Sequence, residues 1–255
     1  MRKLTLAVAI IAVLGLLAAP AFAQAQVSGM VPMKATITKM QGEVVVTKAG
    51  EAATQPLKIG DLVGSGDKIE TMDNGKVEIK VDNGNTVNLT PNSQIVLSRL
   101  VSNPTTGEYE NLMESKFGKM RAFVAAKVTG KSIFKIKTPT AICGARGTVF
   151  YILISGNQTQ VFVADGSVDF SNPTTGDTFV VITDMSAISS ADGTVTEPVE
   201  LQGSDRETVL AIYEQSLSSG SDMPEGEGED KDIPEGPSQS DNPQTPTDNP
   251  PPSQS

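Results

Sequence analysis

The stretch KVEIKVDNGNTVNLT, residues 76–90, decides what kind of fold this chain can adopt. Val77, Ile79 and Val81 alternate with Lys76, Glu78 and Lys80, and Val87 and Leu89 resume the alternation after a break. Side chains of a strand point to opposite faces in turn, so a period of two marks two strands with one apolar face each. The break, Asp82-Asn83-Gly84-Asn85, holds an Asn-Gly pair, whose tolerance of positive φ suits a tight turn between antiparallel strands. Outward from this stretch the same signals recur. ATITKM (35–40) and EVVVT (43–47) flank Gln41-Gly42, and Asp73-Asn74-Gly75 marks another turn. Further on come SIFKIK (132–137), TVFYILI (148–154) and DTFVVIT (177–183), while QTQVFVADGSVDFSN (158–172) reads as a hairpin about Asp165-Gly166. TVFYILI is apolar on both faces and predicts a central strand covered on both sides. Short strands recurring at about nine-residue steps predict an all-β domain, either a sandwich-like antiparallel fold or a short solenoid in which each coil adds a rung.

Two segments have helical character. In ENLMESKFGKMRAFVA (110–125) it is weak, and Gly118 turns the reading toward strands. In GSDRETVLAIYEQSLSSG (203–220), Ser204 and Glu207 form a capping box, and Val209, Leu210, Ile212, Tyr213 and Leu217 make an apolar stripe that Gly220 can end. A helix of this length is marginal alone. The expectation is a helix over 203–219 docked on the β domain, with a partner surface as the other option.

Both ends read as lying outside the core. Residues 1–23, MRKLTLAVAIIAVLGLLAAPAFA, have the basic start, apolar run and small-residue ending of a secretory signal, with cleavage expected between Ala23 and Gln24. The apolar run falls short of the ~20 residues of a membrane span, so the mature chain is expected to be exported, periplasmic or secreted, and not membrane-embedded. Residues 220–255 are rich in Pro, Ser and acids, nine acids against Lys231, and predict a disordered acidic tail. The all-β domain is thus expected over residues 24–202. Most of the net charge of −10 belongs to the tail, which argues for solubility and against nucleic-acid binding.

The chemistry available is limited. The chain has no histidine and no tryptophan, and Cys143 is its only cysteine. Without histidine, Ser-His and Cys-His nucleophilic machinery cannot be assembled within it. Arg146 lies close enough in sequence to lower the Cys143 pKa, but the simpler reading is a small buried hydrophobe. The Asp and Asn residues in turns do not follow a calcium-loop pattern and are explained by turn chemistry, so no metal and no cofactor is expected. In TPTAICGARGTVF (138–150), Pro139 ends a strand, Thr140, Ala141 and Ala145 are small, and Gly144 and Gly147 allow a close crossing. Arg146 then either clamps backbone carbonyls of adjacent strands or holds an anionic ligand group.

The segment LKIGDLVGSGDKIETMDNGKVEIKVDNGNTVNLTPNSQIVL (57–97) resembles the FecR domain. The likeness is carried by Gly60-Asp61, Gly66-Asp67, Ile69, Thr71, Asp82, Gly84, Leu89 and Pro91-Asn92-Ser93. TPTAICGARGTVF is similar to that family's closing signature through Thr138, Pro139, Ala141, Arg146, Gly147, Thr148 and Phe150, and the resemblance extends over about residues 37–170. The namesake regulators join this periplasmic β domain to a cytoplasmic anti-sigma segment through a membrane helix, relaying a ferric-siderophore signal from an outer-membrane receptor. Here a cleavable signal is expected at that end, so the resemblance implies a stand-alone exported form whose signature residues define the fold. The expected function is a non-catalytic module, not an enzyme, that binds another envelope or secreted protein in signalling or assembly. A carbohydrate- or cell-wall-binding module is the alternative, with low aromatic content (4%) against it.

Overall fold

The structure, a computed structural model, describes residues 29–126, 131–201, 203 and 206–207. The expected signal segment, the tail and most of the expected helix lie outside the described residues. In chain order the strands are β1 (Val31–Pro32), β2 (Lys34–Gln41), β3 (Val44–Thr47), β4 (Thr54–Pro56), β5 (Leu62–Gly64), β6 (Lys68–Thr71) and β7 (Lys76–Val81). There follow β8 (Thr86–Leu89), β9 (Ser93–Ser102), β10 (Tyr109–Glu114), β11 (Gly118–Val124), β12 (Ile133–Lys137) and β13 (Ile142–Ala145). The last are β14 (Thr148–Ser155), β15 (Gln158–Asp165), β16 (Ser167–Ser171), β17 (Thr178–Ile182), β18 (Met185–Ser190) and β19 (Val199–Glu200).

These strands form two sheets. One runs β4-β3-β6-β9-β10-β12-β13-β16-β17, with β1 added beside β9, and the other runs β5-β2-β7-β8-β11-β14-β15-β18-β19. Along both sheets the order nearly follows the chain, because the backbone crosses from one sheet to the other after every strand or two. Neighbours pair antiparallel except β10 and β12, which are parallel because β11, in the opposite sheet, intervenes between them. The fold is therefore a sandwich in cross-section that advances like a solenoid, which joins the two architectures expected from the sequence.

The alternation in 76–90 does the work its period implies. Val77, Ile79, Val81, Val87 and Leu89 are buried, while Lys80 is exposed. The inner faces meet in one core, with Ile69, Ile95, Leu97 and Phe170 from the first sheet and Ile37, Ile79, Met120 and Ile152 from the second. Phe134 and Phe150 meet edge to face across it, centroids 6.3 Å apart at 87°.

One expectation about pairing changes. Residues 158–172 are not a hairpin: β15 belongs to one sheet and β16 to the other, and Gly166 carries the chain across. Segments 35–40 and 43–47 are also split between the sheets. Segment 110–125 forms β10 and β11, as Gly118 suggested. On the outer face of β14 and β15, Tyr151 stacks on Phe162 (5.9 Å, 26°), and Leu153, Ala164 and Leu201 pack against the pair. This second small cluster is why TVFYILI is apolar on both sides. Of the expected helix, Gly203, Arg206 and Glu207 are described; Arg206 is paired with Asp184 at 2.7 Å, and the Glu207 N–H donates to the Gly203 carbonyl.

Candidate functional site

Residues 138–150 make a turn within the first sheet and then a crossing to the second, at opposite ends of β13. At the first, Thr138 and Thr140 flank the exposed Pro139 in the turn from β12 to β13. The Ala141 N–H donates to Thr138 Oγ1 (2.8 Å), and the Thr138 and Thr140 hydroxyls each lie 2.7 Å from the Thr159 hydroxyl of β15 in the facing sheet. Ser189 of β18 donates to the Thr140 carbonyl, and Asn172 donates to Ser189 Oγ at 3.0 Å. All five of these polar residues are buried and every one is hydrogen-bonded. A buried hydroxyl left without a partner costs about 1–3 kcal/mol, so this network bolts the two sheets together.

At the second, the chain leaves β13 through Arg146 and Gly147 and crosses to β14 in the other sheet. Thr148, buried, shares its hydroxyl proton between the carbonyls of Arg146 (3.0 Å) and Ser167 (2.8 Å). A Cβ on Gly166 would sit 2.6 Å from the Gly147 carbonyl oxygen, so the turns at 146–148 and 165–167 touch backbone to backbone. Arg146 itself is exposed. The buried group that binds neighbouring carbonyls at this crossing is the Thr148 hydroxyl, and Arg146 lines a depression on the outer face of the first sheet. That depression, about 250 Å³, opens above Gly144, which lies in register between Lys135 and Asp169 and has no side chain to fill the gap. It is smaller than the usual range for small-molecule sites, about 300–1,000 Å³, and carries charges of both signs.

The earlier motif builds two further junctions. Asp61 accepts from the Lys58 N–H at 2.8 Å and closes the turn at Gly60. Asp67 is buried, and its carboxylate accepts from the N–H groups of Ala49 and Gly64 (3.0 Å each) and from Lys48 Nζ at 2.9 Å. Burial by itself would raise its pKa. The Lys48 hydrogen bond and the two backbone donors outweigh that and hold the carboxyl below its ordinary value. In the second junction Thr71 Oγ1 donates to the Thr90 carbonyl (2.7 Å) and accepts from the Ser93 N–H (2.9 Å). Asn92 turns through a positive φ of 54°, and Ser93 Oγ accepts from the Lys119 N–H of β11 at 3.0 Å. Pro91-Asn92-Ser93 thus ties the entry to β9 to the opposite sheet. Asp82 accepts from the Lys34 N–H (3.1 Å), and Gly84 closes the β7–β8 turn with φ of 91°.

The signature residues do not converge on one cleft. Ile69, Leu89 and Phe150 lie in strands and face the core, and most of the others sit at the ends of the sandwich, where the chain crosses or turns. Sequence reasoning missed their partners: Lys48, Gly118, Thr159, Asn172 and Ser189 have no local pattern that distinguishes them.

Cys143 faces the core from β13 and is fully buried, and burial pushes its thiol pKa far up. Native protein is therefore expected to resist iodoacetamide for hours and to take up one equivalent only after denaturation, read by intact mass. Among the described residues no group of three or more acidic or cysteine side chains could hold a metal ion, and no helix is long and apolar enough to cross a membrane.

Residues 67–169 match the model of a family described as FecR protein. No curated protein matches the chain. Among solved structures, two from Parabacteroides distasonis ATCC 8503, both described as candidate anti-sigma factors, are similar to part of it. The structure at 1.65 Å is 15% identical with a TM-score of 0.46, covering 57% of this chain and 64% of that one. The structure at 2.50 Å is 13% identical with a TM-score of 0.45, covering 57% and 63%. This chain therefore spans less than two thirds of the length of either. The family match begins at Asp67, yet β2, which precedes it, pairs with β7 within it, so the sandwich extends beyond the matched region. Over residues 67–169 the chain is similar to the FecR protein family.

Proposed function

We propose that this protein is an exported, non-catalytic FecR-type module that binds another envelope or secreted protein in signalling or assembly. The observation that carries the proposal is where the family signature is spent. Thr71, Ser93, Thr138 and Thr148 are buried in sheet-to-sheet hydrogen bonds, and Asp67 is held by Lys48 and two backbone donors. Groups engaged in this way are not available for chemistry on a substrate. The chain has no histidine to act as a base, and Cys143 is enclosed. What the fold offers outward is strand surface, and strand surface recognises other proteins.

The test is fractionation followed by cross-linking of an epitope-tagged full chain in its native envelope. Expected are a mature amino terminus at Gln24 in the exported fraction and one cross-linked protein in a fixed ratio to the chain. Retention on purified wall glycan without any protein partner would overturn the reading, as would an uncleaved chain held in the cytoplasm.

A further inference from the structure

We propose that the outer edge of β17 takes an extended segment of a protein partner, apolar at alternate positions and basic at its ends. The proposal rests on the reading of this chain as a protein-binding module and names the surface and the partner's chemistry. β17 ends its sheet, and among the described residues no strand pairs with its outer edge. Its hydrogen-bond phase follows from its flanks. The Thr183 N–H donates to the Gly166 carbonyl and the Asn172 N–H to the Asp177 carbonyl, so odd-numbered residues exchange hydrogen bonds with β16. The even residues Thr178, Val180 and Ile182 therefore turn their N–H and C=O groups away from the sheet. The same residues turn their side chains to the outer face, where Val180 is 57% and Ile182 48% exposed.

Sheet edges are ordinarily blunted by short length, proline or charge. β4 is three residues long and ends in Pro56, β5 is three residues long, and β19 is two. β17 has five residues, TFVVI, with no charge, no proline and no bulge. Among the described residues it is the one edge left as a template for strand addition.

Charge narrows what can add there. Residues 138–201 contain seven acids and Arg146 as their only base. Asp169 lies beside Val180 in register on the outer face, and Asp177 and Asp184 bracket the strand, Asp184 already paired with Arg206. A second copy pairing antiparallel through β17 about Val180 would place Asp177 of each copy diagonally across from Asp184 of the other and join two acidic outer faces, and the acidic residues 220–255 meet the same repulsion. A partner strand with lysine or arginine at its ends is attracted, and alternate apolar side chains on it would cover Val180 and Ile182.

The probe is a capped, fluorescein-labelled peptide, Lys-Val-Thr-Val-Thr-Val-Lys, titrated into the full chain and followed by anisotropy and by amide exchange. Expected are binding at least 10-fold tighter than that of the glutamate-ended counterpart, and slowed exchange at Thr178, Val180 and Ile182. Val180→Pro removes an outward N–H without touching the β16 ladder, and Ile182→Lys adds a like charge on the outer face; each should weaken binding at least 10-fold with unchanged melting. If Val180→Pro proves unstable, Ile182→Lys carries the test alone. Equal binding of both peptides, no binding, or binding indifferent to the substitutions would overturn the proposal. So would a β17-dependent dimer seen by light scattering. A native cross-linked partner recovered in spite of such a result would leave the module reading standing and reject only this surface.

Discussion

Gly118→Ala is expected to cost about 4 kcal/mol or more, enough to unfold most or all of a domain whose total stability is of the usual order, about 5–15 kcal/mol. Gly118 opens β11 with φ of 106°, a conformation that L-residues rarely adopt. An added Cβ would lie 2.4 Å from the Ser93 Cα and 2.3 Å from its Oγ, so the obstacle is backbone as well as side chain. Relief would require β9 and β11 to separate, which breaks the bond from the Lys119 N–H to Ser93 Oγ at the junction built by Pro91-Asn92-Ser93. Gly156→Ala is the control. Its φ is also positive, 57°, but nothing lies within 4 Å of the added carbon, so the expected cost is the backbone term alone, about 1–2 kcal/mol. Urea denaturation followed by far-UV circular dichroism reads both. Equal losses at the two sites would show that the Ser93 contact yields without cost.

The contrast between these two glycines shows what was legible in the chain. Strands were legible because a half-buried strand must alternate, and KVEIKV or TVNLT can satisfy its surroundings in no other simple way. The hairpin between β7 and β8 was legible because its turn residues are its own. Which consecutive strands cross instead of pairing was not, because a crossing is decided by contacts with distant residues. Gly166 looks like a hairpin glycine in sequence, and only the Gly147 carbonyl beside it makes it a crossing.

The same limit applies to the site. TPTAICGARGTVF was readable as architecture from its small residues and turn formers, and Cys143 as a buried side chain from the lack of any base. Arg146 stands exposed beside the crossing, and the buried hydroxyl that holds the crossing belongs to Thr148, which sequence reasoning did not single out for that role. Threonine in a strand carries no mark that its hydroxyl will be shared between two carbonyls. DTFVVIT likewise announces a strand, but only the sheet order makes β17 an edge.

Asp67→Ala is expected to lower stability by about 2–4 kcal/mol at neutral pH, because it strips the acceptor from two backbone N–H groups and one lysine at once. The Gly64 N–H is buried, and removing its partner leaves it without a hydrogen bond. Lys48 is partly exposed and can turn to water, which keeps the loss below that of a fully enclosed pair. Acid should expose the same interaction. The folded carboxyl titrates below its ordinary value of 3.8, so the folded state holds the charged form more tightly than the unfolded chain does. The stability this supplies is complete above the unfolded pKa and is lost as pH falls through the folded one. Wild type should therefore lose more stability than Asp67→Asn between pH 5 and the acid limit, while Asp67→Asn starts lower at pH 7 because its amide cannot accept from all three donors. Urea midpoints at a series of pH values from about 7 down to about 2.5 give the difference directly, spanning the carboxylate range. Parallel curves for the two proteins would mean that the carboxylate's hydrogen bonds, though formed, add no net stability over water.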